Sequence, residues 1–150
     1  MTTRRLGAGF LVGGMAGLGV SFWGLSRDVG FIAQPFYAYA WWSYIFILDG
    51  FVALKRGDSL FTARRQYVFL LLVWSITFWY FFELLNLRFQ NWYYVGVFAV
   101  NSVKAALFGM ACFATVFTGL FETYEAVTAL GLFRRLKIRR RAFPPWTSFG

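Results

Sequence analysis

The chain contains no histidine and one cysteine, and only six of its 150 residues are acidic. Without imidazole it lacks the usual axial ligand of haem, the usual ligand of a chlorophyll, a zinc-binding His pair and the base of a His-dependent triad. The lone Cys112 cannot close an intrachain disulfide and identifies no redox compartment. There is no phosphate-cradling P-loop or dinucleotide fingerprint, and Gly7-Ala8-Gly9 lies in an apolar run that no strand precedes. These absences argue against a principal electron-transfer subunit. The lack of detectable inverted halves argues against a stand-alone secondary transporter.

What the chain has in abundance is apolar surface: 59% of its residues are hydrophobic, 23% are aromatic and 14% are charged. A water-soluble domain of this composition would expose large apolar patches, so lipid is the expected solvent. Four runs, Leu6 to Leu25, Ile32 to Leu54, Tyr67 to Leu87 and about Val95 to Leu120, each reach the roughly 20 residues that a helix needs to cross a bilayer. The expected fold is all-α: an integral membrane bundle of four transmembrane helices over residues 1–133, with an interfacial extension through Ala126 to Phe133 and a basic tail over 134–150.

Arg4, Arg5, Lys55, Arg56, Arg64, Arg65, Arg134, Arg135, Lys137, Arg139, Arg140 and Arg141 would share one side, against Arg27 and Arg88 on the other. Twelve of the fifteen basic residues on one face predict a bacterial inner-membrane protein with both termini cytoplasmic. The net charge of +9 then reflects topology, and nucleic acid is not an expected partner. Thr3-Arg4-Arg5-Leu6 faintly resembles a twin-arginine leader. Gly7 and Ala8 stand where bulky apolar residues belong, however, and no small-x-small cleavage site comes after them, so an uncleaved first helix is expected. The run Arg134 to Arg141 should attract anionic headgroups, each charge contributing on the order of 1 kcal/mol near the surface, and Pro144 and Pro145 end any helix.

Within the first span Gly9, Gly13, Gly17 and Ser21 recur every four residues, a small-residue stripe, widened by Gly7, Gly14, Gly19 and Gly24, that lets another backbone approach. It predicts either packing against a helix of the same chain or contact with another subunit or a flat ligand. Trp and Tyr crowd the predicted outer half, as an aromatic belt would. Trp41, Trp42, Trp79 and Tyr80 sit deeper than a belt requires, and together they predict a site for a carotenoid, quinone or lipid chain.

Charges inside the spans cost about 2.5–3.5 kcal/mol each at a helix centre, so they call for partners. Asp49 falls about 9 Å from the cytoplasmic end of its helix and Glu83 about 24 Å along the next, with Lys104 at an intermediate depth. The expected result is a polar cluster in which Lys104 reaches one of the two carboxylates, joined by Asn86 and Asn101 on the same helix faces. Such a cluster either fixes helix packing or supplies a protonatable group, for which Glu83 is the candidate catalytic acid. Glu122 and Glu125 are expected to border water at a solvated helix end, with no third ligand for a cation.

Phe78-Trp79-Tyr80-Phe81-Phe82-Glu83-Leu84-Leu85-Asn86-Leu87 followed by Asn91-Trp92-Tyr93-Tyr94-Val95-Gly96 resembles segments of uncharacterised bacterial polytopic membrane proteins. It is also distantly similar to carotenoid (lycopene) cyclase-type membrane domains. Those domains carry a Pro and paired acids at the start of the next helix, where this chain has Asn101-Ser102-Val103-Lys104. The resemblance covers about a quarter of the chain and implies one acid, Glu83. Two functions are expected on these grounds. One is an accessory or scaffold subunit of a respiratory or photosynthetic membrane complex, docking partner helices, lipids or pigments. The other is a membrane enzyme acting on an isoprenoid or lipid.

Overall fold

Two of the expected spans, both free of proline, fold as uninterrupted helices: α1 covers Thr3–Ser26 and contains Leu6 to Leu25, while α5 covers Arg65–Phe89 and contains Tyr67 to Leu87. The computed structural model describes residues 3–94 and 103–132, and every regular element among them is a helix. The second run is divided by Pro35, which has no N–H to extend the ladder. It forms a short α2 (Gly30–Ala33) and then α3 (Phe36–Arg56), closed by Gly57 in the left-handed region at φ 85°. A single turn, α4 (Leu60–Ala63), leads into α5. The last run is bent at Ala114 into α6 (Val103–Phe113) and α7 (Thr115–Leu130), and Gly131 ends α7 at φ 71°. Asn101, Val95 to Ser102 and the basic residues Arg134, Arg135, Lys137, Arg139, Arg140 and Arg141 lie outside the described residues, as does Phe133 of the expected interfacial extension.

The bend at Ala114 has a specific cause. Ser75, the one buried residue of α5, donates its hydroxyl to the Phe113 carbonyl at 2.5 Å and accepts the Phe117 N–H at 3.0 Å. Those two backbone groups would otherwise bond each other in a regular helix. A hydroxyl from a neighbouring helix is inserted into the ladder, which opens the turn and leaves neither group unpaired in an apolar setting.

The closest pairing joins α1 to α3, and it corrects the expected register of the glycine stripe. Gly7, Gly14, Ser21 and Gly24 are the buried residues of α1. A Cβ on Gly14 would lie 2.7 Å from the Ser43 carbonyl, and one on Gly7 would lie 2.5 Å from the Ala53 Cβ. Gly50 on α3 meets the backbone of Leu11 and Gly7 just as tightly. Gly9 and Gly13, by contrast, have nothing within 4 Å; only Gly17, against the Ser43 hydroxyl, and Ser21 belong to the seam. At 3.6 residues per turn a spacing of four drifts about 40° per step, whereas a spacing of seven drifts only about 20°. The set Gly7, Gly14 and Ser21 therefore stays on α3, while the spacing-of-four stripe winds off it.

Interhelical contacts fix the directions. Gly7 lies beside Gly50 and Ala53, near the end of α3, while Gly24 lies beside Ile32 of α2, so α1 is antiparallel to α3. The Trp42 indole N–H reaches the Ala111 carbonyl at 3.1 Å, and Tyr44 and Thr123 bond at 2.8 Å, so α3 runs parallel to α6–α7. Ser75 meets Phe113 and Tyr80 meets the Ala106 carbonyl at 3.3 Å, so α5 runs against them. The described basic residues Arg4, Arg5, Lys55, Arg56, Arg64 and Arg65 consequently share one end, and Arg27 and Arg88 the other, with Lys104 in the first turn of α6 on that second side. Three stretches, Thr3–Ser26, Arg65–Phe89 and Val103–Leu130, are long and apolar enough to cross a membrane. The fully buried side chains collect around α3: Ile45, Asp49 and Val52 have no exposure at all.

Candidate functional site

Two polar clusters form, at opposite ends of the bundle, where one was expected. At the basic end the turn after α3 folds Ser59 and α4 back over Asp49. Asp49 Oδ2 accepts the Ser59 hydroxyl at 2.9 Å and Oδ1 accepts the Phe61 N–H at 2.9 Å; Ser59 in turn contacts the Thr62 hydroxyl at 2.6 Å. From α7, the Glu122 carboxyl faces Asp49. One turn further on, Glu125 holds Arg64 through two bonds of 2.6 and 2.5 Å. Such a bidentate fork is the strongest pairing a guanidinium makes with a carboxylate. Glu125 also raises the Arg64 pKa above its usual value.

This arrangement corrects three expectations. Glu122 and Glu125 do not border water: Glu122 is 0% exposed and Glu125 6%. The fold-back of residues 57–64 brings Ser59 and Arg64 over that part of α7. Lys104 reaches neither Asp49 nor Glu83; its side chain is exposed, and the ion pair among the described residues is Arg64 with Glu125. Asn86 belongs to the other cluster and does not approach Asp49.

That second cluster closes the far end of α5. Gln90 adopts the left-handed region at φ 50°, stopping the helix and turning Asn91 to Tyr94 back along it. Asn86 Oδ1 accepts the N–H groups of Asn91 at 2.8 Å and Trp92 at 3.2 Å, and its amide donates to the Trp92 carbonyl at 2.8 Å. Glu83, on the same face three residues earlier, accepts the Trp92 indole N–H at 3.3 Å and the Tyr94 hydroxyl. Partial burial and the bond to Glu83 push the Tyr94 phenol above its usual pKa. Glu83 and Asn86 thus act as a clasp for the segment Asn91 to Tyr94, with Glu83 itself half-buried.

The four deep aromatics do not line one pocket. Trp41 lies over Gly119, where a Cβ would sit 3.4 Å from the ring, and Trp42 binds Ala111. Trp79 and Tyr80 pack on Phe113, with centroids at 5.8 and 5.1 Å. The two pairs come from α3 and α5 and grip the α6–α7 helix separately. Beside Trp41 a shallow open depression of about 240 Å³ is lined by Ala40, Trp41 and Tyr44. Among the described residues, no group of three or more His, Cys, Asp and Glu side chains is placed to hold a metal ion.

Ser59, Thr62 and Arg64 were not expected at the Asp49 cluster, nor Ser75 at the break in the last span. A lone hydroxyl inside Leu70-Leu71-Leu72-Val73-Trp74-Ser75-Ile76 was a legible signal for Ser75. Ser59 and Thr62 look like ordinary turn residues, and only the fold-back brings them to Asp49. No protein-family model, curated protein or solved structure matches this chain.

Proposed function

We propose that this protein is an accessory subunit of a larger membrane assembly, crossing the bacterial inner membrane four times with both termini cytoplasmic. In this reading α3 is the fourth span: its 21 residues cover about 32 Å. Its polar side chains suit a helix shielded by α1 and α7 rather than one facing lipid. The orientation rests on the cations gathered at one end.

The observation that carries the subunit reading is α5. Only 6% of its most apolar stretch is buried, and Phe69, Trp74, Phe81, Leu84 and Leu87 stand outward along a helix of 25 residues. Such a face suits transmembrane helices of other subunits, with lipid, quinone or carotenoid filling between them, as in respiratory or photosynthetic complexes. The open Gly9 and Gly13 on α1 offer a second place for close backbone approach.

The alternative, an enzyme acting on an isoprenoid or lipid in the manner of carotenoid cyclase-type domains, draws on the partial exposure of Glu83 beside Phe78 to Phe82. Extraction in mild detergent, with particle mass and absorption spectrum recorded together, separates the two. A large particle with haem or pigment bands is the expected result; a small colourless one would sink the subunit reading. Glu83→Gln should leave that particle assembled apart from a looser segment Asn91 to Tyr94, whereas an enzyme would lose turnover.

A further inference from the structure

The cluster at the basic end gathers three carboxyl groups, Asp49, Glu122 and Glu125, around one guanidinium, Arg64. Glu122 is 0% exposed, and among the described residues no donor reaches either of its carboxyl oxygens. An ionised carboxylate without any donor is among the most unfavourable groups a protein interior can hold. Its neighbour is the opposite case. Asp49, equally buried, receives two donors, Ser59 and the Phe61 N–H, and a carboxylate has lone pairs left for a third.

The surrounding charges do not cancel this pair. Arg64 is the cation that bears on Glu122; its two terminal nitrogens are committed to Glu125, and its buried Nε donates to no group among the described residues. The other charged groups on the elements packed nearby are exposed: Arg4 and Arg5 on α1, Lys55 and Arg56 on α3, Asp58 before α4, and Arg65 on α5. Asp49 and Glu122 are left facing each other across the α3–α7 interface, with Arg64 bonded to Glu125 rather than to either of them.

We propose that Asp49 and Glu122 share a single exchangeable proton and together form a proton-binding site between α3 and α7. Glu122 carries the proton and donates it to the Asp49 carboxylate, which completes the hydrogen bonding of both groups. Release breaks the Glu122 O–H bond; the electron pair stays on the carboxylate and the proton passes to water. Arg64, with its side chain 27% exposed, is where this cluster reaches solvent. Release leaves two adjacent buried anions, which drives α7 away from α3 and the fold-back. The site therefore couples proton uptake to closure of the basic end, independently of what the outer faces dock.

Infrared spectra of the whole protein in lipid nanodiscs, with glutamate side-chain carboxyls labelled with carbon-13, test the proposal. At neutral pH a protonated glutamic acid carbonyl band should be present, moved by the label and by deuterium exchange. It should vanish in Glu122→Gln, persist in Glu83→Gln, and change frequency in Asp49→Asn as its acceptor changes. Absence of the band at neutral pH would overturn the proposal, as would its survival in Glu122→Gln or an unchanged frequency in Asp49→Asn. Loss of the band on adding sodium or calcium at constant pH would also overturn it, since a metal cation would then occupy the site. Should the variants fail to assemble, the labelled wild-type spectrum still decides whether a neutral glutamic acid is present.

Discussion

Helices α3 and α5 are of similar length, 21 and 25 residues, yet they solve opposite problems. The first is surrounded by α1, α2, α4, α6 and α7 and buries seven residues, among them Ser43 and Asp49; the second buries only Ser75. The helix that buries an ionisable side chain, Asp49, is the internal one, and the helix that turns its Phe and Leu side chains outward is the external one. In a lipid solvent nothing expels apolar side chains from the outside, so the interior is distinguished by small residues and by hydrogen bonds that lock helices together. The same logic places the glycines of α1 against α3 and leaves the Phe and Leu of α5 facing outward.

The contrast can be broken most severely at the interior cluster. Arg64→Ala would strand Glu125 nearly buried and unpaired, and should cost about 3 kcal/mol, moderated by the partial exposure of Arg64. Because Cys112 is the single cysteine and is 7% exposed, its rate of reaction with a thiol reagent in a denaturant series measures that loss directly. A reaction profile equal to wild type would mean that the ion pair contributes nothing. Next comes Gly50→Val, which forces α1 off α3 at the Leu11 backbone and should cost about 2 kcal/mol by overpacking. The same change at Gly9 or Gly13 should be silent by thermal melting, unless the spacing-of-four stripe is the true seam.

Ser75→Ala removes the hydroxyl from the bend at Ala114 and should destabilise by about 1–2 kcal/mol, the cost of leaving Phe113 and Phe117 backbone groups unpaired. Full stability in that variant would show that α6 and α7 straighten and re-form their own bond. The smallest effect is expected on the outer face of α5. Leu84→Ala should change the stability of the isolated protein by no more than about 0.5 kcal/mol. In particles extracted from native membranes, however, it should reduce co-purification of other subunits. Unaltered particles would locate the docking face elsewhere.

Some of this was legible in the residues alone. The helical character, the apolar runs of α1 and α5, and the segregation of cations to one end come from hydropathy and charge spacing, which act locally and leave a direct trace in sequence. The polar clusters were legible only as ingredients. Asp49 and Glu83 stand out as charges in need of partners, but depth alone points both of them to Lys104, which neither meets. Depth along a helix says how far a residue lies from the membrane surface and nothing about which way it faces. The glycine groove was legible in part: Gly17 and Ser21 meet α3 and Gly9 and Gly13 do not, because a spacing of four and a spacing of seven are both small-residue patterns and only contact with α3 distinguishes them.

Composition and charge spacing are enough to set the helical class, the presence of stretches long and apolar enough to cross a membrane, and the charge difference between the two ends, because each depends on sums over neighbouring residues. The tertiary structure alone decided that Glu122 meets Asp49, that Arg64 meets Glu125, that Ser75 opens the ladder at Ala114, and that Glu83 clasps Trp92 and Tyr94. Three of those pairings join residues 38 to 73 positions apart, on helices whose rotation about their own axes is fixed only once they pack. The clasp is local but depends on the left-handed turn at Gln90, a conformation that no motif in the chain announces.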